Sequence, residues 1–336
     1  MVEVSKDVLY LWILIFINQT AGGPLPMNNN TPDQILHEVK KVIHGKDDII
    51  RLTICAIFAG GHVLLEDIPG VGKTTLATSI ARTLSLTYRR VQFTPDVLPS
   101  DLLGFQLYDR NSGEFRFQEG NVYTNLFLAD EINRTSPKTQ SALLEVMEER
   151  HATVEGITRE LPVPFFVIAT QNPFGSSGTQ KLPESQLDRF MVCLSMGYPD
   201  FTNAVAILKG NSAVDLNEVQ AVATAEDIVA IQKIVSDVHI DDSLYEYIVK
   251  LTEATRVPEW FALGLSPRGS ISLLRMAKAN AYFYGRNFVT PEDIHDVFFA
   301  VLGHRVKINA QAKAAGKDLH SLLEDVLKQV PVPKMN

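Results

Sequence analysis

The stretch LLEDIPGVGKTT, from Leu64 to Thr75, decides the fold. It matches the phosphate-binding pattern G-x-x-x-x-G-K-[ST] except that Asp67 replaces the first glycine, six residues before Lys73. An apolar strand pattern precedes it and a helical pattern follows it. The backbone around Gly72, the lysine ammonium and the helix N-terminus are the groups that such loops use to bind phosphate. The stretch therefore predicts a nucleotide-binding loop with an unusual first residue.

The missing glycine is the outermost one of the loop, where the chain turns without closely approaching phosphate. Aspartate tolerates unusual turn dihedrals through local hydrogen bonds, and Pro69-Gly70 can supply the sharp bend. We therefore expect the Asp67 carboxylate to point away from the phosphates. Its expected partner is a group of its own loop or a neighbouring side chain.

The composition is that of a soluble globular protein with one large domain or two ordinary ones. The chain has 336 residues, of which 46% are hydrophobic and 21% are charged. Its net charge of -8 and pI near 5.5 argue against a general affinity for nucleic acid. Cys55 and Cys193 lie in apolar runs, which favours buried thiols in a reducing compartment over a disulfide.

The N-terminal segment carries an apolar run, VLYLWILIFI, at Val8–Ile17. This run is much shorter than the roughly 20 residues of a membrane-spanning helix. A signal peptide begins with positive charge, but here Glu3 and Asp7 flank Lys6. Three interpretations stay open: translation begins at Met27 after an extension, the segment associates with a membrane, or it is a cleaved signal. In all other respects we expect a cytoplasmic protein.

Apolar runs of strand length alternate with helical patterns in the first part of the chain. This alternation indicates a parallel sheet with helices on both faces. The predicted strands are GHVLLE, VQFT, LFLAD, FFVIAT and MVCLSM, and the first helical pattern runs from Gln34 to Ala59. Gly104–Gly120 and Ala152–Pro162 instead alternate apolar and polar residues around turn signals, which predicts two β-hairpin insertions.

Helical patterns replace the strand signals from about Tyr198 onward. Thr224 and Thr290 each precede acidic residues, and Pro291 follows the second threonine, as at helix N-termini. We therefore expect an α/β nucleotide-binding domain over residues 27–197 and a smaller all-helical lid domain over residues 198–336, after the extension of residues 1–26.

Two acids end the buried strand pattern LFLAD. Asp130 and Glu131 would lie at the carboxyl edge of a parallel sheet, where ligands bind in such folds. Asp130 is the expected contact of the Mg²⁺ hydration shell, and Glu131 is the expected base that orients and deprotonates the attacking water. Asn172 ends the strand FFVIATQ; Pro173 disfavours helical geometry there, so its amide should lie beside the phosphates.

Two arginines follow in the sequence. Arg189 in LPESQLDRF suits an arginine finger that reaches a neighbour's γ-phosphate, unless it forms a surface salt bridge with Asp188 or Glu184. Arg268 lies in the first turn of a helix that Ser266 would cap, an unfavourable place for a cation unless an anion is near. We interpret Arg268 as a phosphate contact, with a plain surface arginine as the alternative.

Taken together, these residues resemble the MoxR family of AAA+ ATPases. The resemblance covers the chain from about Gln34 to Arg305, in the family's order and separations. It is carried by GHVLLEDIPGVGKTTLA, QFTPDVLPSDLLG, LFLADEINRTSPKTQSALLEVMEE, PFFVIATQNP, LPESQLDRF and SPRGS. The sequence departs from the family at the apolar N-terminus and at Gly269, where the family often has alanine.

The resemblance implies an AAA+ core with a helical lid that assembles into an ATP-dependent ring, usually a hexamer. It assigns Lys73 and Thr74 to Walker A, Asp130 and Glu131 to Walker B, Asn172 to sensor 1, Arg189 to the arginine finger and Arg268 to sensor 2. Mg²⁺ would be held by Thr74 and Asp130. The remaining ATP contacts would be Pro69, Gly70, Val71, Gly72 and Thr75, with Val42, Ile43 and Gly45 at adenine. Whether Arg268 acts on its own nucleotide or on a neighbour's stays open.

Members of the family resemble chaperones that remodel partner complexes, often together with a von Willebrand factor A domain protein. The resemblance thus implies an ATPase of this kind. A magnesium-chelatase-type motor subunit is an alternative from the same clade. A nucleic-acid motor is a further alternative, which the acidic composition disfavours, so we expect no nucleic-acid partner. A GTPase is disfavoured further, because the sequence has no N-K-x-D motif for guanine specificity.

Overall fold

The computed structural model describes residues 31–68, 70–172, 182–209 and 215–334. Its central element is a sheet of β1 (Val63–Glu66), β2 (Tyr88–Gln92), β5 (Leu126–Asp130), β8 (Phe166–Gln171) and β9 (Val192–Leu194). All neighbouring strands are parallel, in the order β2-β5-β8-β1-β9. The carboxyl ends of β5, β8 and β1 therefore lie side by side, at the edge where parallel sheets bind ligands.

The apolar strands are buried because helices cover the sheet on both faces. Every residue of β5 and β8 is buried, which explains their continuous apolar sequences. The edge strand β2 is only partly buried and begins earlier than the predicted run VQFT. Phe93 follows the end of β2 and is fully buried. The apolar character of VQFT thus reflects burial of Phe93 as well as strand formation.

The helices of the α/β part surround the sheet. They are α1 (Thr31–Lys40), α2 (Asp47–Phe58), α3 (Lys73–Thr83), α4 (Pro99–Leu103), α5 (Pro137–Glu149) and α6 (Glu184–Leu187), with a 3-10 turn at Ile132–Arg134. The helical pattern predicted as continuous from Gln34 to Ala59 is two helices. Gly45 lies between them with φ +68°, a left-handed conformation that ends a helical path and that glycine adopts readily.

Both predicted β-hairpins are present and touch each other. The first joins β3 (Phe105–Asp109) to β4 (Glu114–Gln118), and the second joins β6 (His151–Val154) to β7 (Ile157–Glu160). The Arg159 guanidinium lies 3.7 Å from the centre of the Phe117 ring, a cation–π contact between the hairpins. Four apolar side chains of the first hairpin are exposed, namely Phe105, Leu107, Tyr108 and Phe115.

The C-terminal part is a helical lid. Its elements are α7 (Phe201–Leu208), α8 (Ala225–Ser236), α9 (Asp242–Ala254), α10 (Pro267–Phe283), α11 (Pro291–Leu302), α12 (Ala310–Ala314) and α13 (Leu319–Gln329), with a 3-10 turn at Leu216–Glu218. Thr224 and Thr290 begin α8 and α11 with capping boxes, as the sequence predicts. A short antiparallel ribbon of β10 (Phe261–Leu263) and β11 (Lys307–Ile308), which the sequence analysis did not predict, also lies here.

His62 joins three elements beneath the nucleotide-binding edge. Its Nδ1 accepts a hydrogen bond from the Val167 N–H in β8, and its Nε2 donates to the Met147 carbonyl in α5, both at 2.9 Å. These two bonds require the neutral ring. Burial disfavours the charged ring and lowers the pKa of His62 to about 4.

Neither cysteine forms a disulfide among the described residues. Cys55 and Cys193 are both free thiols, as expected, and burial raises the pKa of Cys55 to about 12. No helix within the described ranges is long and apolar enough to cross a membrane. The apolar run Val8–Ile17 lies outside the described residues.

Candidate nucleotide-binding site

The phosphate-binding loop turns sharply into α3. Gly70 and Gly72 have φ +87° and +93°, conformations that strain any residue with a Cβ. Gly72 is the N-cap residue of α3, which begins at Lys73. The loop thus directs backbone N–H groups and a helix N-terminus toward one place, as anion binding requires. The predicted contact Pro69 lies outside the described residues.

The Lys73 ammonium is bonded to its own loop. Its Nζ donates to the carbonyl oxygens of Asp67 at 2.9 Å and Ile68 at 3.0 Å. Burial lowers the pKa of Lys73, while the nearby acids Asp67, Asp130 and Glu131 act in the opposite direction. The ammonium is therefore held at the phosphate end of the site by contacts that a phosphate could replace.

The Asp67 carboxylate points to the segment after β9. It accepts hydrogen bonds from the backbone N–H groups of Met196 and Gly197, the latter at 3.2 Å, and Asp67 is only 6% exposed. The predicted direction, away from the phosphates, is confirmed. The predicted partner was wrong: the bonds leave the loop and reach backbone amides far along the chain. The reason is that β1 and β9 are neighbours in the sheet, so their ends meet.

The two predicted acids lie at the sheet edge with partners. Asp130 accepts from the Thr170 hydroxyl at 2.6 Å and from Arg90 at 2.7 Å. Glu131 has φ +58°, an uncommon left-handed conformation for a residue other than glycine. Its N–H donates to the Thr170 hydroxyl at 2.9 Å, and its carboxylate pairs with Arg134 at 2.7 Å. Thr170 in β8 thus supports both acids.

A polar cavity of about 370 Å³ brings two of the four predicted catalytic residues, Glu131 and Asn172, together with the predicted metal ligands Thr74 and Asp130. Its lining residues are Gly70, Gly72, Lys73, Thr74, Thr75, Arg90, Gln92, Asp130, Glu131 and Asn172. The Asn172 carbonyl also accepts from the Asn133 side chain at 3.3 Å. Thr74 and Asp130 present a hydroxyl and a carboxylate, which are oxygen donors that suit Mg²⁺. The residues present therefore fit this cation.

Sequence reasoning missed Arg90 and Gln92. Both belong to β2, and the side chain of Arg90 donates to Gln92 at 2.9 Å as well as to Asp130. Their spacing of two residues in a strand places them on one face. That spacing indicates a shared face of the strand, but it points to the nucleotide site only when β2 is known to pair with β5.

A second, more apolar cavity of about 460 Å³ lies along the same loop and shares Gly70, Gly72 and Thr75 with the polar one. Its lining includes Val42, Ile43, Ile68, Val71, Met196 and Tyr198. The predicted adenine contacts Val42 and Ile43 thus line this cavity, and their contact with adenine stays a prediction. Gly45 does not line the cavity; it packs against Asp200 and Asn203.

The two predicted arginines line neither cavity and instead contact α5. Arg189 donates to the Leu144 carbonyl, and Arg268 pairs with Glu148 at 2.5 Å. The anion expected beside Arg268 is therefore Glu148 in this structure. The alternative of a salt bridge from Arg189 to Asp188 or Glu184 is wrong, because Arg189 donates to the Leu144 carbonyl and the Asp188 carboxylate pairs with Arg305 at 2.7 Å.

These features define a P-loop nucleotide-binding protein of the AAA+ class. A parallel sheet carries the phosphate-binding loop after β1 and the paired acids after β5, and a helical lid follows. The comparison with known families agrees. The family described as "ATPase family associated with various cellular activities (AAA)" matches residues 62–192, and the family described as "AAA lid domain" matches residues 253–326.

Similar proteins cover nearly the whole chain. "Uncharacterized protein YeaC" of Bacillus subtilis is 44% identical over 89% of this chain and 93% of its own length. "Chaperone MoxR1" of Mycobacterium tuberculosis is 37% identical over 91% of this chain and 84% of its own length. The crystal structure of a putative ATPase from Cytophaga hutchinsonii has a TM-score of 0.84 and 39% identity, and the match covers 91% of this chain and 96% of that one. The chain belongs to the MoxR family of AAA+ ATPases.

Proposed function

We propose that this chain is a cytoplasmic, ring-forming Mg-ATPase that remodels partner proteins. The observation that carries this proposal is the pair of cavities along one loop. The apolar cavity suits adenine, and the polar cavity suits a triphosphate because it gathers Lys73, Asp130 and Glu131. The shared glycines Gly70 and Gly72 would hold the phosphates between the two.

Hydrolysis would begin with an exchange of partners in the polar cavity. Lys73 would leave the loop carbonyls for the β- and γ-phosphates, and Asp130 would leave Arg90 to hold the metal together with Thr74. Mg²⁺, when bound, would neutralise charge that develops on the phosphate oxygens. Glu131, released from Arg134, would orient and deprotonate the attacking water, and Asn172 would contact the γ-phosphate.

A neighbouring subunit would complete the site. Arg189 and Arg268 line neither cavity of their own chain, and both lie against α5. An arginine can stabilise the transition state of phosphoryl transfer only if it reaches the transferred phosphate. We therefore assign both arginines to the neighbour's nucleotide, which requires an oligomer, and we propose a hexameric ring.

The remodelling role rests on the relative called Chaperone MoxR1 and on the exposed hairpin. Phe115 is 67% exposed at the first hairpin, and an exposed apolar group of this kind suits contact with a client protein. A von Willebrand factor A domain protein is the proposed partner, from the family resemblance. Hydrolysis would couple to motion between the α/β part and the lid.

The test compares Glu131→Gln with the matched variant Glu145→Gln, which changes an exposed acid of α5. Glu131→Gln should bind ATP with unchanged affinity but hydrolyse it at least about 100-fold more slowly, because general-base catalysis contributes that much or more. Glu145→Gln should match the wild type in both assays. Normal turnover by Glu131→Gln would refute the assigned base.

The oligomer and the partner are tested with the same trapped variant. Glu131→Gln with ATP should form a hexamer when its mass is measured by light scattering, and affinity capture on this form should enrich a von Willebrand factor A domain protein. A monomer at every nucleotide concentration would contradict the shared site. Capture that is equal for Glu131→Gln with and without ATP would contradict ATP-dependent partner binding.

A further inference from the structure

An ion pair between the buried Arg305 and the partly buried Asp188 lies next to both arginines. Arg305, in the turn after α11, is 5% exposed, and its Nε donates to the Asp188 carboxylate at 2.7 Å. The same guanidinium donates to the carbonyl oxygens of Asp188, Phe190 and Met191 at 3.2, 2.5 and 3.0 Å. One lid residue therefore fixes the backbone on both sides of Arg189.

The second oxygen of the Asp188 carboxylate serves the other arginine. It accepts a hydrogen bond from the Ser266 hydroxyl at 2.9 Å. The Ser266 hydroxyl in turn accepts from the Gly269 N–H at 3.0 Å and so caps α10, whose first turn contains Arg268. The orientation of the first turn of α10 is thus tied to Asp188.

Asp188 accepts from both Arg305 and Ser266, and its negative charge pairs with the buried guanidinium. Asparagine keeps an acceptor for Arg305 but removes that charge, and its NH₂ group could meet the Ser266 hydroxyl only as a donor, so this bond would have to reverse. The packing here is also close: a Cβ at Gly269 would lie 3.0 Å from Cδ of Arg305. The junction of Asp188, Arg305 and Ser266 therefore has little freedom to adjust.

We infer that Asp188 and Arg305 are positioning residues whose ion pair presents Arg189 and Arg268 as one unit to the neighbouring subunit's nucleotide. The inference rests on the proposed function, since it requires that both arginines act between subunits. It goes further by naming the groups that set their geometry. Catalysis is sensitive to such geometry, because a misplacement of about 1 Å can cost about 100-fold in rate.

The first experiment uses the full chain with Asp188→Asn, and Glu184→Gln as the matched control. Glu184 is the first residue of α6, whose C-cap is Asp188, and it is exposed. We expect Asp188→Asn to bind ATP and to assemble like the wild type, with kcat reduced about 10- to 100-fold and KM little changed. Glu184→Gln should behave as the wild type. A wild-type kcat for Asp188→Asn would overturn the inference.

The second experiment separates positioning from general structural support. An Asp188→Asn subunit keeps an intact nucleotide pocket, and a Glu131→Gln subunit keeps correctly placed arginines. In a ring that contains both variants, the arginines of a Glu131→Gln subunit should therefore complete the pocket of a neighbouring Asp188→Asn subunit and restore hydrolysis there. The 1:1 mixture should hydrolyse ATP several-fold faster than the mean of the two separate preparations. The mixture of Arg189→Ala with Glu131→Gln is the reference.

The outcomes of the mixing experiment are distinct. Recovery with Arg189→Ala but not with Asp188→Asn would overturn this inference and leave the shared site intact. No recovery with either variant would overturn the shared site, and the inference with it.

Should Asp188→Asn fail to fold, Ser266→Ala replaces it. We expect Ser266→Ala to lower kcat a few-fold. Mixing it with Glu131→Gln should restore hydrolysis, and the variant Ser266→Thr, which keeps the hydroxyl, should have a normal kcat. An unchanged kcat for Ser266→Ala would overturn the link to Arg268.

Discussion

The nucleotide edge and the arginine side of this molecule hold their charged groups in opposite ways. At the nucleotide edge, Lys73, Asp130 and Glu131 are paired with groups that they can exchange, and they line an open cavity. On the arginine side, Asp188 is partly buried, and its partner Arg305 is buried and donates to several backbone carbonyls. The difference indicates that the nucleotide edge is built to change partners when a nucleotide binds, and that the arginine side is built to stay fixed.

The largest expected effects on ATP hydrolysis distinguish the nucleotide edge from the arginine side. Lys73→Met should abolish ATP binding and hydrolysis together, because the ammonium binds the phosphates. Arg189→Ala should leave ATP affinity unchanged and lower hydrolysis about 1,000-fold or more, since arginine fingers contribute that much. Binding is measured by calorimetry and turnover by phosphate release. A large loss of ATP affinity in Arg189→Ala would break the comparison, because it would place Arg189 in its own binding pocket.

A second prediction concerns His62, whose ring bonds to β8 of the central sheet and to α5, the helix that both arginines contact. Its pKa is lowered from 6.5 in the unfolded chain to about 4, so the unfolded chain binds the extra proton first as pH falls. The contribution of His62 to the free energy of unfolding should therefore be fully present above pH 6.5. It should fall by about 3 kcal/mol as the pH is lowered to 4.

The measurement is urea unfolding between pH 4 and 7.5 for the wild type and His62→Gln. The variant should be less stable at pH 7 but should show a shallower decline at acid pH. Some decline should remain, because burial also lowers the pKa of His304 well below its usual value. Identical pH profiles for the two proteins would contradict the assignment.

A third prediction tests how the nucleotide edge is held together. Asp67→Asn should lower the free energy of unfolding by about 1–3 kcal/mol, because the amide replaces a buried acceptor that serves two backbone N–H groups. Asp67→Gly should not raise ATP affinity, since the carboxylate faces away from the phosphates. A large gain in affinity for the glycine variant would show that the carboxylate repels the nucleotide.

The smallest expected effect lies outside both halves. Phe115→Ser removes an exposed ring at the hairpin, so stability should change by less than about 0.5 kcal/mol and basal ATP hydrolysis should stay constant. Only client-dependent activity should fall. A clear loss of basal hydrolysis would mean that the hairpin contributes to the nucleotide site and would extend the comparison to a third region.

The sequence was sufficient for features that depend on local pattern. The strand before Asp130, the start of α3 at Lys73 and both hairpins follow from periodicity and turn residues. The family resemblance supplied the roles that local pattern leaves open, such as those of Arg189 and Arg268.

Features that depend on distant partners could not be predicted in this way. Asp67 bonds to backbone amides 129 and 130 residues away, and Arg90 meets Asp130 only because β2 and β5 pair. Arg305 joins the lid to the α/β part through its bonds to Asp188 and to the Phe190 carbonyl, although no recognisable sequence motif surrounds it. In each case the contact depends on strand order or on the docking of the lid, which periodicity does not encode.

The contact between the two hairpins has a mechanical consequence. The second hairpin begins at His151, two residues after the end of α5, and Arg159 in it stacks on Phe117 of the first. The same α5 carries Leu144 and Glu148, the contacts of Arg189 and Arg268. A force on either hairpin would therefore reach the helix against which both arginines rest. Under the proposed function, a client that pulls on the hairpins would then change the rate of ATP hydrolysis in the neighbouring subunit.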